Sequence, residues 1–163
     1  DTMNYWIEGK RTSLMRMLEK VDLISINDSE AKLLSGENNL ISAAHAIVKM
    51  GPKIVVIKRG EYGAILFEED RMFAAPAMPL ETVKDPTGAG DTFAGGMLGY
   101  LAHMDRVDAT TLRQALVVGS TMASFTVQDF SLNRLQEIKK SDIEERFAQF
   151  IQLTNFSPNL YGT

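Results

Sequence analysis

Apolar positions along the chain repeat with two periods, one typical of amphipathic helices and one typical of buried strands. Segments with the helical period are predicted to form helices, and they cover residues 7–21, 27–34, 40–48, 88–101, 109–125 and 141–151. Two of these helices are predicted to end at glycine, one at Gly36 and one at the Gly-Pro pair of residues 51–52. Residues 141–144 (Ser-Asp-Ile-Glu) have the pattern of a capping box, which predicts that the last helix begins at Ser141.

Short continuous apolar runs predict buried strands at residues 23–26 and 54–57. Two more strands, at residues 64–67 and 72–75, are predicted to pair antiparallel. Helices that alternate with such strands indicate an α/β architecture, with a mainly parallel sheet flanked by helices. We predict one domain over residues 1–153 and an irregular tail at residues 154–163, where the periodicity ends.

Composition and charge exclude several classes of function. The 163 residues include 17 Lys and Arg against 21 Asp and Glu, which gives a net charge of −4, and no basic run is present to neutralise the phosphates of a nucleic acid. No apolar stretch reaches the ~20 residues of a membrane span, and no signal peptide is visible. The lack of cysteine fits a reducing compartment. We therefore expect a cytoplasmic protein that binds neither nucleic acid nor membrane.

The most informative chemistry lies in residues 85–93, Asp-Pro-Thr-Gly-Ala-Gly-Asp-Thr-Phe, which lead into a helix of small and apolar residues. Such a loop exposes backbone N–H groups at a helix N-terminus, and those of Ala89, Gly90 and Asp91 are predicted to bind an anion. A carboxylate beside a bound phosphate is costly unless it has a function, and Asp91 is predicted to accept a proton. The bare pattern also fits a tight loop in which Asp91 only caps the helix.

From Asp85 to Leu98 every position resembles the second signature of the PfkB (ribokinase-like) carbohydrate kinases. The resemblance implies a ribokinase-like fold and transfer of the γ-phosphate of ATP to a hydroxyl of a sugar or nucleoside. It makes Gly88, Ala89 and Gly90 the anion hole and Asp91 the general base.

Two alternatives to a sugar or nucleoside kinase stay open. One is a vitamin-type kinase of the same superfamily, which acts on a pyridine or pyrimidine alcohol. The other is a non-catalytic nucleotide-binding module. The Asp-Pro-Thr sequence together with an Asn-x-x-Glu pattern favours the sugar or nucleoside branch, and the intact Asp91 counts against a module that has lost its activity.

Residues 27–30, Asn-Asp-Ser-Glu, follow a predicted strand and open a predicted helix. In the resembled family an Asn-x-x-Glu motif at this place helps to hold Mg²⁺ and nucleotide phosphates, largely through water, which implies these roles for Asn27 and Glu30. Oxygen ligands and retained waters suit this hard cation. The same spacing is also that of a simple capping box.

Residues 58–63, Lys-Arg-Gly-Glu-Tyr-Gly, come directly after the second predicted strand. They resemble a family turn that contacts the phosphate and ribose of the nucleotide, which implies a contact for Lys58, Gly60 and Gly63. Glycine permits close approach of the backbone, and lysine adds a charge for phosphate. A hairpin turn without ligand is the alternative.

Many members of the family also bind potassium beside the anion loop. By spacing, Asp85, Thr87 and Ser131 correspond to that site. Residues 125–131 of this chain depart from the small-residue pattern common there, so the resemblance is weakest at this point.

The resemblance covers only the C-terminal half of such a kinase. Residues 1–6 resemble the end of the family's mid-chain strand, and the chain is therefore expected to be a fragment. The implied parent enzyme is a homodimer that requires ATP and Mg²⁺. Without the half that binds the acceptor, the fragment is expected to be inactive and to self-associate through exposed sheet edge and apolar surface.

Overall fold

The computed structural model describes residues 1–69 and 71–156, and within them four strands form one sheet. In sheet order the strands are Leu23–Asn27 (β1), Ile54–Lys58 (β2), Ala64–Glu68 (β3) and Arg71–Ala75 (β4). β1 and β2 are parallel because helices cross between them, whereas the short connections after β2 and β3 make antiparallel neighbours. The α/β prediction is confirmed, but the sheet of the described residues is mixed, with one parallel pair and two antiparallel pairs.

Helices account for most of the remaining described chain. They are Asn4–Gly9 (α1), Arg11–Leu18 (α2), Asp28–Ser35 (α3), Leu40–Val48 (α4), Ala89–Met104 (α5), Ala109–Thr126 (α6), Asn133–Glu137 (α7), Lys140–Thr154 (α8) and a short 3₁₀ helix, Gly60–Tyr62. None of the helices in these residues combines the length and the apolar character that a membrane span needs. From residue 157 on, the predicted irregular tail lies outside the described residues.

Three local predictions differ from the structure. Residues 1–6 do not end a strand, because helix α1 begins at Asn4, and the helix predicted for 7–21 is interrupted at Lys10, where φ is −138°. The last helix begins before Ser141, because the Lys139 N–H donates to the Asp142 carboxylate (2.7 Å) and the capping contact is shifted by two residues. α7 carries no clear apolar period and is not predicted.

Alternate residues of β2 enter two separate apolar clusters, one on each face of the sheet. Val55 and Ile57 pack with α1, α2, α3 and α4. Ile54 and Val56 lie on the opposite face and pack with α5 and α6. Because both faces of the strand are buried, its sequence is a continuous apolar run rather than an alternating one.

Close contact between α5 and α6 fixes the direction of α5. A Cβ added to Gly119 of α6 would lie 2.8 Å from the Phe93 carbonyl oxygen and 3.3 Å from the Met97 Cβ. On α5, a Cβ at Gly96 would lie 2.8 Å from the Met122 side chain. Glycine at these positions lets the two backbones approach, and Phe93 belongs to the first turns of α5, close to Asp91.

Gly119→Ala is expected to destabilise the protein by about 1–3 kcal/mol, because the added methyl group overpacks the contact between the two helices. Gly95→Ala is the matched control. Gly95 also lies in α5, but nothing is within 4 Å of an added Cβ, and this change is expected to stabilise the helix by about 0.5–1 kcal/mol. Urea unfolding followed by circular dichroism measures both, and an unchanged Gly119→Ala protein would contradict the close packing.

Candidate active site

The carboxyl ends of β1 and β2 meet the N-terminus of α5. In the parallel register Asn27 lies opposite Lys58, and each is the last residue of its strand. The Lys58 Nζ lies 3.1 Å from the place that a Cβ on Gly90 would take. The sequence singles out three segments, and they therefore approach one another here: residues 27–30, 58–63 and 88–91. In open α/β sheets, ligands bind at the carboxyl ends of the strands.

Asn27 and Glu30 form the capping box of α3. The Asn27 Oδ1 accepts from the Glu30 N–H (2.8 Å), and the Glu30 Oε2 accepts from the Asn27 N–H (3.2 Å). The capping interpretation is confirmed. The two hydrogen bonds also fix the orientation of both side chains. An open cavity of about 590 Å³ lies beside them, lined by residues 3–5 and 27–30.

This pair of side chains has the chemistry of an outer-sphere Mg²⁺ site. One oxygen of each is used by the cap, which leaves the second carboxylate oxygen of Glu30 and a lone pair of Asn27 for bound water. Within residues 1–69 and 71–156, no group of three or more His, Asp or Glu side chains is placed to hold a metal ion directly. One carboxylate oxygen and one amide oxygen fit contact with a cation through water, because such hard cations keep several waters.

The N-terminus of α5 presents two free amide donors. Gly88 precedes the helix with φ +79°; the Ala89 N–H donates to the Pro86 carbonyl (3.1 Å) and the Thr92 N–H to the Gly88 carbonyl (2.9 Å). In the described part of the chain, the N–H groups of Gly90 and Asp91 have no acceptor. The predicted three-donor hole is thus reduced to two free donors, because the Ala89 N–H is used within the loop.

The Asp91 side chain lies exposed at the start of α5. The interpretation of Asp91 as a helix cap is wrong, because Gly88 occupies the cap position. Asp91 is the third residue of α5, and its side chain is exposed. A carboxylate in the first turn is also stabilised by the helix dipole.

Lys58, at the carboxyl end of β2, forms an ion pair with Asp1. Its side chain is 15% exposed, and its Nζ lies 2.5 Å from the Asp1 carboxylate. Burial lowers the pKa of the Lys58 ammonium, while the nearby charges of Glu30 and Asp91 raise it. Sequence spacing missed the contact with Asp1, because 57 residues separate the two and no motif joins them.

Gly60 and Gly63 belong to the tight connection between β2 and β3. The Arg59 N–H donates to the Gly63 carbonyl (2.7 Å). Gly63 has φ +86°, and a Cβ there would lie 2.1 Å from the Ala75 carbonyl oxygen, so the fold alone requires glycine at this position. Gly60 has φ +55° with open space around it, which leaves room for a ligand.

The three residues matched to a potassium site are only partly brought together. The Asp85 Oδ1 accepts from the Thr87 N–H (2.9 Å), and this bond lowers the pKa of the Asp85 carboxyl. The Asp85 backbone lies against Val127, whose carbonyl accepts its N–H (3.4 Å). Ser131 follows in an exposed turn with φ +54°, and no hydrogen bond in the described residues joins it to Asp85 or Thr87.

The family model of the pfkB family carbohydrate kinases matches residues 3–139. The chain belongs to the PfkB family. Kinases of sugars and nucleosides are among its curated relatives. A cytidine kinase of Thermococcus kodakarensis is 41% identical over 96 residues, which cover 56% of this chain and 34% of the relative. A nucleoside kinase of Methanothermobacter thermautotrophicus is 34% identical over 120 residues, 73% of this chain and 36% of the relative.

Solved structures confirm the ribokinase-like fold. Aminoimidazole riboside kinase from Salmonella enterica, solved with aminoimidazole riboside and an ATP analogue, superposes with a TM-score of 0.76 at 23% identity, over 86% of this chain and 46% of that one. An E. coli protein assigned as ribokinase II, solved with ATP and Mg²⁺, gives a TM-score of 0.70 at 27% identity, over 91% and 45%. This PfkB chain thus spans about a third of these curated relatives and less than half of the solved neighbours.

Proposed function

We propose that this chain is the nucleotide-binding and catalytic-base part of an ATP-dependent kinase that phosphorylates a hydroxyl of a sugar or nucleoside. One observation carries the proposal: the free N–H groups of Gly90 and Asp91 and the Asp91 carboxylate lie together at the start of α5, beside the Lys58 ammonium. Donors for an anion and an acceptor for a proton are the two requirements of phosphoryl transfer.

In the proposed reaction, an acceptor hydroxyl oxygen forms a bond to the γ-phosphorus of ATP. The bond from that phosphorus to the β–γ bridging oxygen breaks, and ADP leaves with the electron pair. The Asp91 carboxylate takes the hydroxyl proton. The N–H groups of Gly90 and Asp91 stabilise the charge on the phosphoryl oxygens, in a geometry that the fold sets before substrate binds.

The proposed roles of the other residues follow from where they lie. Asn27 and Glu30 would hold Mg²⁺ through water, and the ion would neutralise phosphate charge when bound. Lys58 and Gly60 would contact the nucleotide; for Gly63 the packing against β4 is a sufficient explanation. Asp85, Thr87 and Ser131 remain the candidates for a potassium site, of which the Asp85–Thr87 turn is the best formed part.

A sugar or nucleoside is the proposed acceptor because the curated relatives are named for such substrates, cytidine and fructose among them. Since the chain spans about a third of those relatives, the activity is proposed for the complete kinase, as a homodimer, and not for these residues alone. Alone, they are proposed to self-associate along the edge of β1, which within residues 1–69 and 71–156 pairs with β2 on one side only.

Calorimetric titration of the chain with Mg-ATP tests the nucleotide site. We expect binding with a Kd below about 1 mM, which corresponds to about 4 kcal/mol, because the amide donors and Lys58 are present without the rest of the kinase. AMP is the matched control ligand: it lacks the β- and γ-phosphates and is expected to bind at least about tenfold more weakly. No heat at millimolar ATP from a chain that circular dichroism shows to be folded would reject the site.

A further inference from the structure

Lys58 lies closer to the start of α5 than a contact between the β2–β3 turn and a nucleotide needs. It is the last residue of β2, and its side chain reaches across the end of the sheet to the anion loop, where the Nζ fills the space that a Gly90 side chain would take. The turn that follows, residues 60–63, lies on the far side of β2 toward β3 and β4. The Lys58 side chain therefore lies next to the start of α5, where the proposed phosphate donors are.

We propose that Lys58 is a catalytic residue, whose ammonium contacts the γ-phosphoryl group during transfer alongside the N–H groups of Gly90 and Asp91. This inference rests on the proposed kinase function. Two amides that lack an acceptor in the described residues and an ammonium beside them provide donors for the oxygens of a single phosphoryl group. Charge that moves onto those oxygens in the transition state is then met by fixed donors.

The ion pair with Asp1 explains how a largely buried lysine side chain keeps its charge in place before ATP binds. An unpaired charge in this position costs free energy, and the Asp1 carboxylate, itself 32% exposed, offsets that cost. An ammonium has three donors, so the bond to Asp1 leaves two for phosphoryl oxygens. Asp1 therefore acts as a positioning residue for Lys58.

Gly90 leaves the space in which the Lys58 ammonium lies. A Cβ there would come within 3.1 Å of the Lys58 Nζ and 3.9 Å of its Cε, so a side chain at this position shifts the ammonium by at least a few tenths of an ångström. Glycine at position 90 thus has a reason beyond exposing its N–H: it makes room for the lysine.

Lys58→Met in the complete kinase is the central test, with cytidine, ribose and fructose as trial acceptors. We expect kcat to fall by about 10²–10³-fold, the loss typical of one donor to a developing charge, with the KM for ATP changed less than about fivefold. Lys53→Met is the matched control, since Lys53 precedes the same strand at its opposite end and its side chain is 80% exposed. This substitution is expected to leave kcat unchanged. A loss confined to the KM for ATP would overturn the catalytic role and leave a ground-state contact.

Two further variants keep the test decisive if Lys58→Met folds poorly. The double variant Asp1→Asn, Lys58→Met removes both charges and leaves no unpaired carboxylate at position 1. The kcat of the double variant is expected to be as low as that of Lys58→Met. Gly90→Ala is expected to lower kcat at least about tenfold with Lys58 present and less than threefold in a Lys58→Ala background, because the displaced group is then gone. Equal losses in both backgrounds would contradict the pairing of Lys58 with Gly90.

Failure of this inference is distinguishable from failure of the proposed function. If wild-type protein transfers phosphate, Asp91→Asn does not, and Lys58→Met retains wild-type kcat, the kinase assignment stands and the role of Lys58 is wrong. If wild-type protein transfers phosphate to none of the three acceptors and does not bind ATP, the kinase assignment itself fails.

Discussion

Asp91→Asn is expected to lower kcat of the complete kinase by about 10²–10⁴-fold, the usual contribution of a general base. The amide that replaces the carboxylate cannot take the acceptor proton, but it leaves the backbone of the first turn of α5 in place. The N–H groups of Gly90 and Asp91, which are free in the described residues, are expected to keep the proposed contact with phosphate. The Kd for Mg-ATP is therefore expected to stay within about threefold of wild type or to tighten, since a negative charge near the phosphates is removed.

A matched substitution at the other end of the helix controls for changes in α5 itself. Asp105 caps the C-terminus of α5 with φ +46°, a conformation that asparagine adopts readily, so Asp105→Asn is expected to leave kcat unchanged. Steady-state kinetics with a coupled ADP assay and calorimetry with Mg-ATP separate the two effects. Turnover by Asp91→Asn within about threefold of wild type would show that the proton goes elsewhere.

The sequence predicts those features of the site that depend on neighbours along the chain. The apolar run of β2, the capping box at Asn27 and Glu30, and the glycine loop before α5 are all local patterns, and the structure places each as a strand end, a cap and a helix start. The family assignment likewise rests on one contiguous stretch, residues 85–98, and the family model confirms it. Contiguous patterns carry both the fold class and the general location of the site.

What the sequence does not predict depends on contacts between distant segments. The approach of Lys58 to Gly90 and its ion pair with Asp1 join residues 32 and 57 positions apart, and no spacing rule covers them. The use of the Ala89 N–H within its own loop depends on the conformation of Pro86 to Gly88, which a sequence of small residues leaves open. The contact of Gly119 with Phe93 explains a glycine that the apolar pattern alone assigns to a helix face.

The position of β1 in the sheet bears on how much of the catalytic apparatus this chain contains. In the part of the chain that the structure describes, β1 has β2 as its one strand neighbour, yet its three central residues are buried. The solved neighbours extend well beyond the shared part, since the chain covers less than half of each. The proposed phosphate donors and the proposed base lie together at the start of α5, whereas more than half of each solved neighbour has no counterpart in this chain.

The chain alone is therefore expected to transfer phosphate at least about 10⁴-fold more slowly than the complete kinase, although it binds Mg-ATP. Fixing two reactants in line is worth effective molarities of about 10⁵–10⁸ M, and this advantage is lost when the acceptor meets the site only by diffusion. Radiolabelled ATP with cytidine, ribose or fructose measures the transfer, and the Asp91→Asn chain gives the background. Addition of the remaining part of the kinase as a separate polypeptide is expected to restore at least about a hundredfold, because the missing contacts act by position and not through a covalent link. Transfer by the chain alone within about tenfold of the complete kinase would mean that residues 1–163 themselves bind the acceptor, and the search for that site would then begin at the cavity beside Asn27 and Glu30.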